Sequence, residues 1–130
     1  MAKKERAKVV ERLDKVFSEF IRRRTADDRG FVRCYTCGAT KHWKEMHAGH
    51  FQSRSKYATR WNETNVQVQC VSCNIFKAGE QFKFGIHLDQ EHGEGTAEEM
   101  MYLANQSGKF TIMELRDMVK EFQQKLRELE

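Results

Sequence analysis

The 130-residue chain contains no proline, where average usage would supply about six. That absence excludes proline-rich linkers and favours uninterrupted helices. Long apolar runs are missing as well, and nothing approaches the roughly 18 consecutive apolar residues of a membrane span. Residues 1–30 hold no apolar stretch of the kind a secretory signal requires. The expectation is a soluble protein of the cytoplasm with no membrane association. Apolar residues are scarce, with a mean hydropathy of −0.78 and 32% charged residues. The length suits one domain, 1–130, with one modest core, and so thin a core calls for a further staple.

The net charge of +4 conceals an asymmetry. Residues 1–60 hold 16 Lys/Arg against 7 Asp/Glu, and residues 61–130 hold 7 against 12. A basic half suits a polyanion such as nucleic acid, and it equally suits a solvated helix face.

Helical periodicity marks both ends. Val9, Leu13, Val16, Phe17, Phe20 and Ile21 fall on one stripe of a helix over 3–24. Arg22, Arg23 and Arg24 close it where the helix dipole favours cations. Ile112, Leu115, Val119, Phe122, Leu126 and Leu129 form a second stripe over 111–129, opened by a capping box of Thr111 and Glu114. Thr96 and Glu99 repeat that signature before a shorter helix that Gly108 is expected to end. Two readings of the long stripes stand: burial within the chain, or a homodimer seam through Leu13, Val16 and Phe20, through Val119, Phe122 and Leu126, or through both.

The middle, 31–93, is different in kind. All four cysteines lie there in two Cys-x-x-Cys pairs, Cys34/Cys37 and Cys70/Cys73. Two such pairs can complete a thiolate tetrahedron around one zinc ion, with Gly38 supplying the tight turn after the first pair. Disulfides need an oxidising route that this chain does not indicate, and a redox pair needs a βαβ context that is missing. Zinc would also supply the staple, because its binding energy becomes folding energy. A knuckle, a strand pair and then a helix carrying the second cysteine pair is the order of a treble-clef finger.

Between the pairs lie His47-Ala48-Gly49-His50-Phe51, a basic loop to Arg60, and Trp61-Asn62-Glu63-Thr64-Asn65 leading into the alternation Val66/Val68. Two short strands flanking a loop would bring His50, Asn65 and Asn74 toward one point. Phosphodiester hydrolysis needs a neutral histidine as general base, a hard divalent cation on oxygen ligands, and an amide that orients the base. His50, Asn74 and Asn65 can fill those roles in that order, and Arg54, Lys56 and Arg60 can contact phosphates. Each residue also has a plain structural reading: His50 as a buried hydrogen-bonded histidine, Asn65 and Asn62 as turn residues, Asn74 at a helix start. His42, His87 and His92 read as surface residues, and Trp43 and Trp61 as packing.

The set Cys34-x-x-Cys37-Gly38, Ala48-Gly49-His50-Phe51, Arg60-Trp61-Asn62-Glu63-x-Asn65 and Gln69-Cys70-x-x-Cys73-Asn74-x-x-Lys77-x-Gly79 resembles the NinG/Rap recombination endonucleases of lambda-like phages. These are similar to the HNH, or His-Me finger, nucleases in their Asn-ending variant. The similarity runs from about residue 16 to 129, with Thr111-Ile112-x-Glu114 and Glu121–Leu126 resembling the family's tail. The resemblance implies an α+β fold, with a ββα-metal core (31–93) between an N-terminal helix (1–30) and C-terminal helices (94–130). It implies a Mg²⁺- or Mn²⁺-dependent endonuclease of the host cytoplasm, cutting D-loops and Holliday junctions and working beside other recombination proteins. His50 becomes the base, Asn65 its orienter or a site-shaping residue, Asn74 a ligand of the catalytic cation, and Lys77 a further DNA contact. The broader pattern places an acid immediately before the base, where this chain has Gly49. Glu63 or His47 would have to replace it, and strand alternation, which turns His47 away from His50, favours Glu63. The competing readings are a non-catalytic zinc-finger module that binds nucleic acid and a protein–protein adaptor.

Overall fold

The apolar stripe of helix α1 (Ala2–Arg23) buries Val9, Leu13, Phe17, Phe20 and Ile21. It faces Leu115, Val119 and Phe122 of α5 (Ile112–Glu128). The structure, a computed structural model, describes residues 2–130. Phe122 seats between the rings of Phe17 and Phe20, at centroid distances of 4.9 and 5.7 Å. Trp61 and Val66 from the middle of the chain complete this cluster. The two stripes are therefore spent on each other. Leu13, Phe20, Val119 and Phe122 of the stripes are buried within one chain, and Val16 and Leu126 pack partly exposed against the same cluster. The capping box forms as the sequence requires, with Thr111 Oγ1 accepting from Glu114 N at 3.0 Å and Glu114 Oε1 accepting from Thr111 N at 2.9 Å.

Between the long helices the strands are short. β1 (Phe31–Arg33) pairs antiparallel with β2 (Thr40–His42), and β3 (His47–His50) with β4 (Val66–Gln69). The second register sets His47 opposite Gln69 and His50 opposite Val66. A short helix α2 (Tyr57–Arg60) lies in the loop between β3 and β4. Val32, Met46 and Val68 form a small cluster with Cys34, Cys70 and Cys73, against which Trp43 packs.

The chain leaves β4 through a widened turn, Ser72–Phe76, in which Lys77 N donates to Ser72 O at 2.9 Å. It does not run straight on as the expected first helical turn. Ala78, Gly79 and Glu80 all take positive φ (51, 86 and 49°), and only then does α3 (Gln81–His92) begin. Periodicity misses α3 because only Phe84 and Leu88 face inward while Phe82 and Ile86 are exposed. Phe84 and Leu88 join Phe51 and Met100 in a third cluster.

Four local expectations are corrected. α4 (Thr96–Ala104) starts at Thr96 itself, after left-handed Gly95, and Thr96 Oγ1 donates to Gly93 O at 2.7 Å. The Ala97 amide is satisfied by Asp89 of α3 at 2.9 Å, so the Thr96/Glu99 box is not formed. α4 ends at Ala104, and Gly108 instead sits tightly against Tyr57 and Ala58 of α2. His87 is half-buried, held by Tyr35 O at 2.6 Å from Nδ1, and is not the surface residue expected. His42 is likewise half-buried and caps the short turn at Trp43, while His92 is exposed.

Part of the basic half is engaged inside the fold. Arg24 reaches Glu63 O, Val66 O and Gln67 Oε1 at 2.9–3.1 Å, and Arg22 and Arg23 lie over the Trp43 ring. No helix among the described residues is long and apolar enough to cross a membrane.

Candidate metal centre and active-site cleft

The four cysteine Sγ atoms lie within 4.8 Å of one another, with Cys37 and Cys70 3.7 Å apart. A tetrahedral zinc with Zn–S bonds of about 2.3 Å has S···S edges of about 3.8 Å. The backbone prepares the geometry. Gly38 at φ +77° closes the first knuckle with its amide on Cys34 O at 2.9 Å, and Cys73 N points at Cys70 Sγ from 3.5 Å. Burial opposes ionisation at Cys34, yet the Cys70 amide, the Thr36 hydroxyl and the Cys37 amide hold it down to about 6. Burial and neighbouring thiols push Cys73 up to about 12. The four cysteines fit a metal ion such as zinc. Among the described residues they are the one group of three or more His, Cys, Asp or Glu donors close enough together to share an ion.

A cleft of about 870 Å³ opens between α1, the β3–β4 hairpin and the loop after Cys73. His50 and Asn74 both line it, together with Glu11, Asp14, Ser53 and Arg54. His50 Nε2 donates to the main-chain carbonyl of Arg60 at 2.9 Å, which leaves Nδ1 as the basic nitrogen. Burial, and then the positive charges of Arg54 and Arg60, hold this imidazole below its ordinary value. The Arg60 carbonyl and Asp14 act in the opposite sense without prevailing. The ring is therefore neutral at pH 7.

Asn65 does not touch His50. It is fully buried, accepts from Gln52 N at 2.7 Å, and donates to Gln52 O and Thr59 O at 3.1 Å. It thus clamps the two ends of the loop whose last residue supplies the carbonyl to His50. Its place is that of a shaping residue, and the expected side-chain orienter is replaced by a main-chain oxygen. Asn62 is a turn residue, accepting from Thr64 N and Asn65 N at 2.8 and 3.0 Å.

Glu63 is corrected outright. Its carboxylate lies 2.5 Å from Lys125 Nζ and 3.6 Å from Arg24, and it does not line the cleft. His47 is the residue that meets Asn74, whose Nδ2 donates to His47 Nδ1 at 3.0 Å. His47 itself does not line the cleft; it meets Asn74 because the register pairs His47 with Gln69, one residue before Cys70. The turn carrying Asn74 therefore returns beside His47. An acid in place of Gly49 would run into the buried Gln69 side chain, which would have to move to admit it.

The expected phosphate contacts divide. Arg60 is buried, with 9% of its surface exposed, and its Nε and Nη2 grip Asp14 at 3.1 and 2.6 Å. It is an internal strut and is not free for DNA. Arg54 spends one nitrogen on Asp14 at 2.9 Å and keeps 64% of its side chain exposed at the cleft. Lys56 is exposed away from the cleft, 3.4 Å from Asn105 Oδ1, and Lys77 is exposed beside its rim.

Sequence reasoning missed Asp14. It holds Arg60, Arg54 and, at 2.9 Å, the Trp61 indole N–H. Burial works against its charge, but those donors outweigh it and keep the carboxyl below the ordinary range. The available signal was an acid set between Leu13 and Phe17 on the buried side of α1, whereas Glu5 and Glu11 are exposed.

Comparison with known proteins follows the same residues over the whole chain. The profile of the NinG family, described as "Bacteriophage Lambda NinG protein", matches residues 1–130. "Protein ninG" of Escherichia phage lambda is 30% identical over 130 residues, covering 99% of this chain and 61% of that protein. "Protein ninG" of Escherichia phage 933W is 28% identical over 130 residues (99% of this chain, 62% of that protein). That of Salmonella phage P22 is also 28% identical over 130 residues, covering 99% and 61%. The chain thus spans about three fifths of the length of these relatives. No solved structure matches it. With the family profile matched from end to end, this chain belongs to the NinG family of bacteriophage proteins.

Proposed function

We propose that this chain is a metal-dependent endonuclease of the His-Me finger type, cutting phosphodiester bonds in branched DNA such as D-loops and four-way junctions. One observation carries the reading: His50 and Asn74 line one cleft, with the His50 ring fixed through Nε2 on a main-chain carbonyl. A binding module or an adaptor has no use for a neutral, oriented histidine there. In this reading the four cysteines hold zinc as a structural ion, and the protein works in the cytoplasm of the bacterial host beside other recombination proteins.

His50 Nδ1 takes the proton from the attacking water, which its suppressed protonation permits at pH 7. Asn65 and Asp14 keep the loop and Arg60 in place, so the carbonyl of Arg60 holds the ring at the angle of attack. Arg54 contacts a phosphate flanking the scissile bond. Asn74 donates to His47 through Nδ2, leaving Oδ1 free to face an oxygen-seeking ion. Asn74 would hold Mg²⁺ or Mn²⁺ through Oδ1, with His47 fixing its amide, and the ion would supply charge stabilisation on the phosphate. So small a protein set suits Mg²⁺, which keeps waters and substrate phosphates as its remaining ligands.

The test is cleavage of a labelled four-way junction with added Mg²⁺ or Mn²⁺. Wild type nicks it, and His50→Ala binds with near wild-type affinity without cutting, because the base contributes little ground-state contact. A His50→Ala variant that cuts as wild type does would remove the reading.

A further inference from the structure

The loop that lines one side of the cleft is flanked in sequence by two phenylalanines that the fold does not use. Phe76 and Phe82 are each 81% exposed, the most exposed large apolar side chains among the described residues. They stand on either side of the loop 77–81, of which Ala78, Gly79 and Gln81 line the cleft beside His50 and Asn74. Each is followed directly by an exposed lysine, Lys77 and Lys83, the latter 3.5 Å from Glu80.

The loop between them is held rigid. Ala78 and Glu80 adopt left-handed φ of 51 and 49°, a conformation that is unfavourable for L-residues with a side chain. Gln69 Nε2 donates to Gly79 O at 2.9 Å, Gly79 N to Cys73 O at 2.8 Å, and Gln81 Nε2 to His50 O at 3.3 Å. The strain is thus maintained by bonds to the cysteine centre and to the strand carrying His50. A sequence that only needed to join a turn to a helix would gain by relaxing this loop and by replacing both exposed rings.

We propose that Phe76 and Phe82 are base-stacking residues that receive unpaired nucleobases beside the cleft and so make it selective for DNA with single-stranded or branched character. The inference rests on the endonuclease reading for its location, not for its chemistry. Every base presents a π face, and paired bases in a duplex hide theirs, so rigid exposed rings flanked by lysines favour the unpaired strand. A second copy of the chain is the other conceivable occupant. The lysine after each ring argues against it, because a two-fold contact there would bring like charges together.

The experiment measures binding without added Mg²⁺ or Mn²⁺, using an oligonucleotide with 2-aminopurine, single-stranded or in duplex. Wild type should change the probe's emission on the single strand. Phe76→Ala and Phe82→Ala should each weaken single-strand binding about tenfold, in line with the known worth of a stacked base, and leave duplex binding within about twofold. Phe→Trp at both positions should restore binding, and Phe→Leu should not. Single-strand affinity unchanged in the double alanine variant would overturn the proposal. So would equal losses on both DNA forms, full rescue by leucine, or a wild-type dimer in light scattering that Phe82→Asp dissociates. Both rings are exposed, so these variants keep the core intact. Stacking without any cleavage by wild type under Mg²⁺ would leave this proposal standing and remove the endonuclease reading, which separates the two.

Discussion

The clamp of α1 and α5 and the cysteine-bearing middle solve the same stability problem by different physics. The clamp buries Leu13, Phe17, Ile21, Leu115 and Phe122 nearly completely, as two amphipathic helices do when their stripes meet. The middle has strands of three or four residues, and its thiol cluster buries only Val32, Met46 and Val68 beside the cysteines. Such a segment cannot recover its chain entropy from apolar burial. Four converging thiols are its substitute. The cleft lies where the two regions meet, with Asp14 and Glu11 from the clamp and His50 and Asn74 from the middle. Precision at the site therefore depends on both regions being folded.

The largest effect should come from the middle. Cys73→Ser should release the metal and unfold the cysteine region, since structural zinc carries apparent energies of about 10–16 kcal/mol in small domains. The two tryptophans separate the regions, because Trp43 packs on the thiol cluster and Trp61 lies in the clamp. In Trp61→Phe protein, Cys73→Ser should shift the remaining Trp43 emission to the red. In Trp43→Phe protein it should alter Trp61 much less. Equal shifts at both would show that the regions are one cooperative unit.

Phe122→Ala is the corresponding blow to the clamp and should cost about 3–5 kcal/mol, measured by urea unfolding, with zinc content unchanged. Asp14→Asn acts at the junction of the two. It weakens the holds on Arg60, Arg54 and Trp61 and should cost about 2–4 kcal/mol at neutral pH. The carboxyl titrates below its ordinary value in the folded chain. Its contribution is therefore complete above the unfolded carboxylate value of about 3.9 and is lost as pH falls through the folded value. Asp14→Asn should flatten that acid loss, and an unchanged acid-unfolding curve would contradict the assignment.

Two smaller effects sharpen the picture of the cleft. Arg54 holds the His50 imidazole down by its charge, so Arg54→Ala should move the acid limb of the cleavage profile to higher pH. Glu63→Gln should leave cleavage within about twofold, because breaking a half-exposed ion pair costs about 1 kcal/mol or less. A Glu63→Gln variant that no longer cuts would restore Glu63 to the site.

The sequence by itself determined what depends on local spacing. The stripes of α1 and α5, the Thr111/Glu114 box and the two cysteine knuckles are each written within a few residues, and each is formed. The basic half was legible as composition, but its use was not, since Arg24 and Arg60 are consumed by partners 39 to 46 residues away. Tertiary structure alone decided that the two stripes meet each other, that His47 meets Asn74, and that Glu63 pairs with Lys125. It alone brought Asp14 to the loop that carries the His50 hydrogen bond. The physical reason is common to all of these: a side chain's partner is fixed by strand register and helix packing, which join residues far apart in the chain. Local periodicity settles which face a residue shows, and only the assembled fold settles what that face meets.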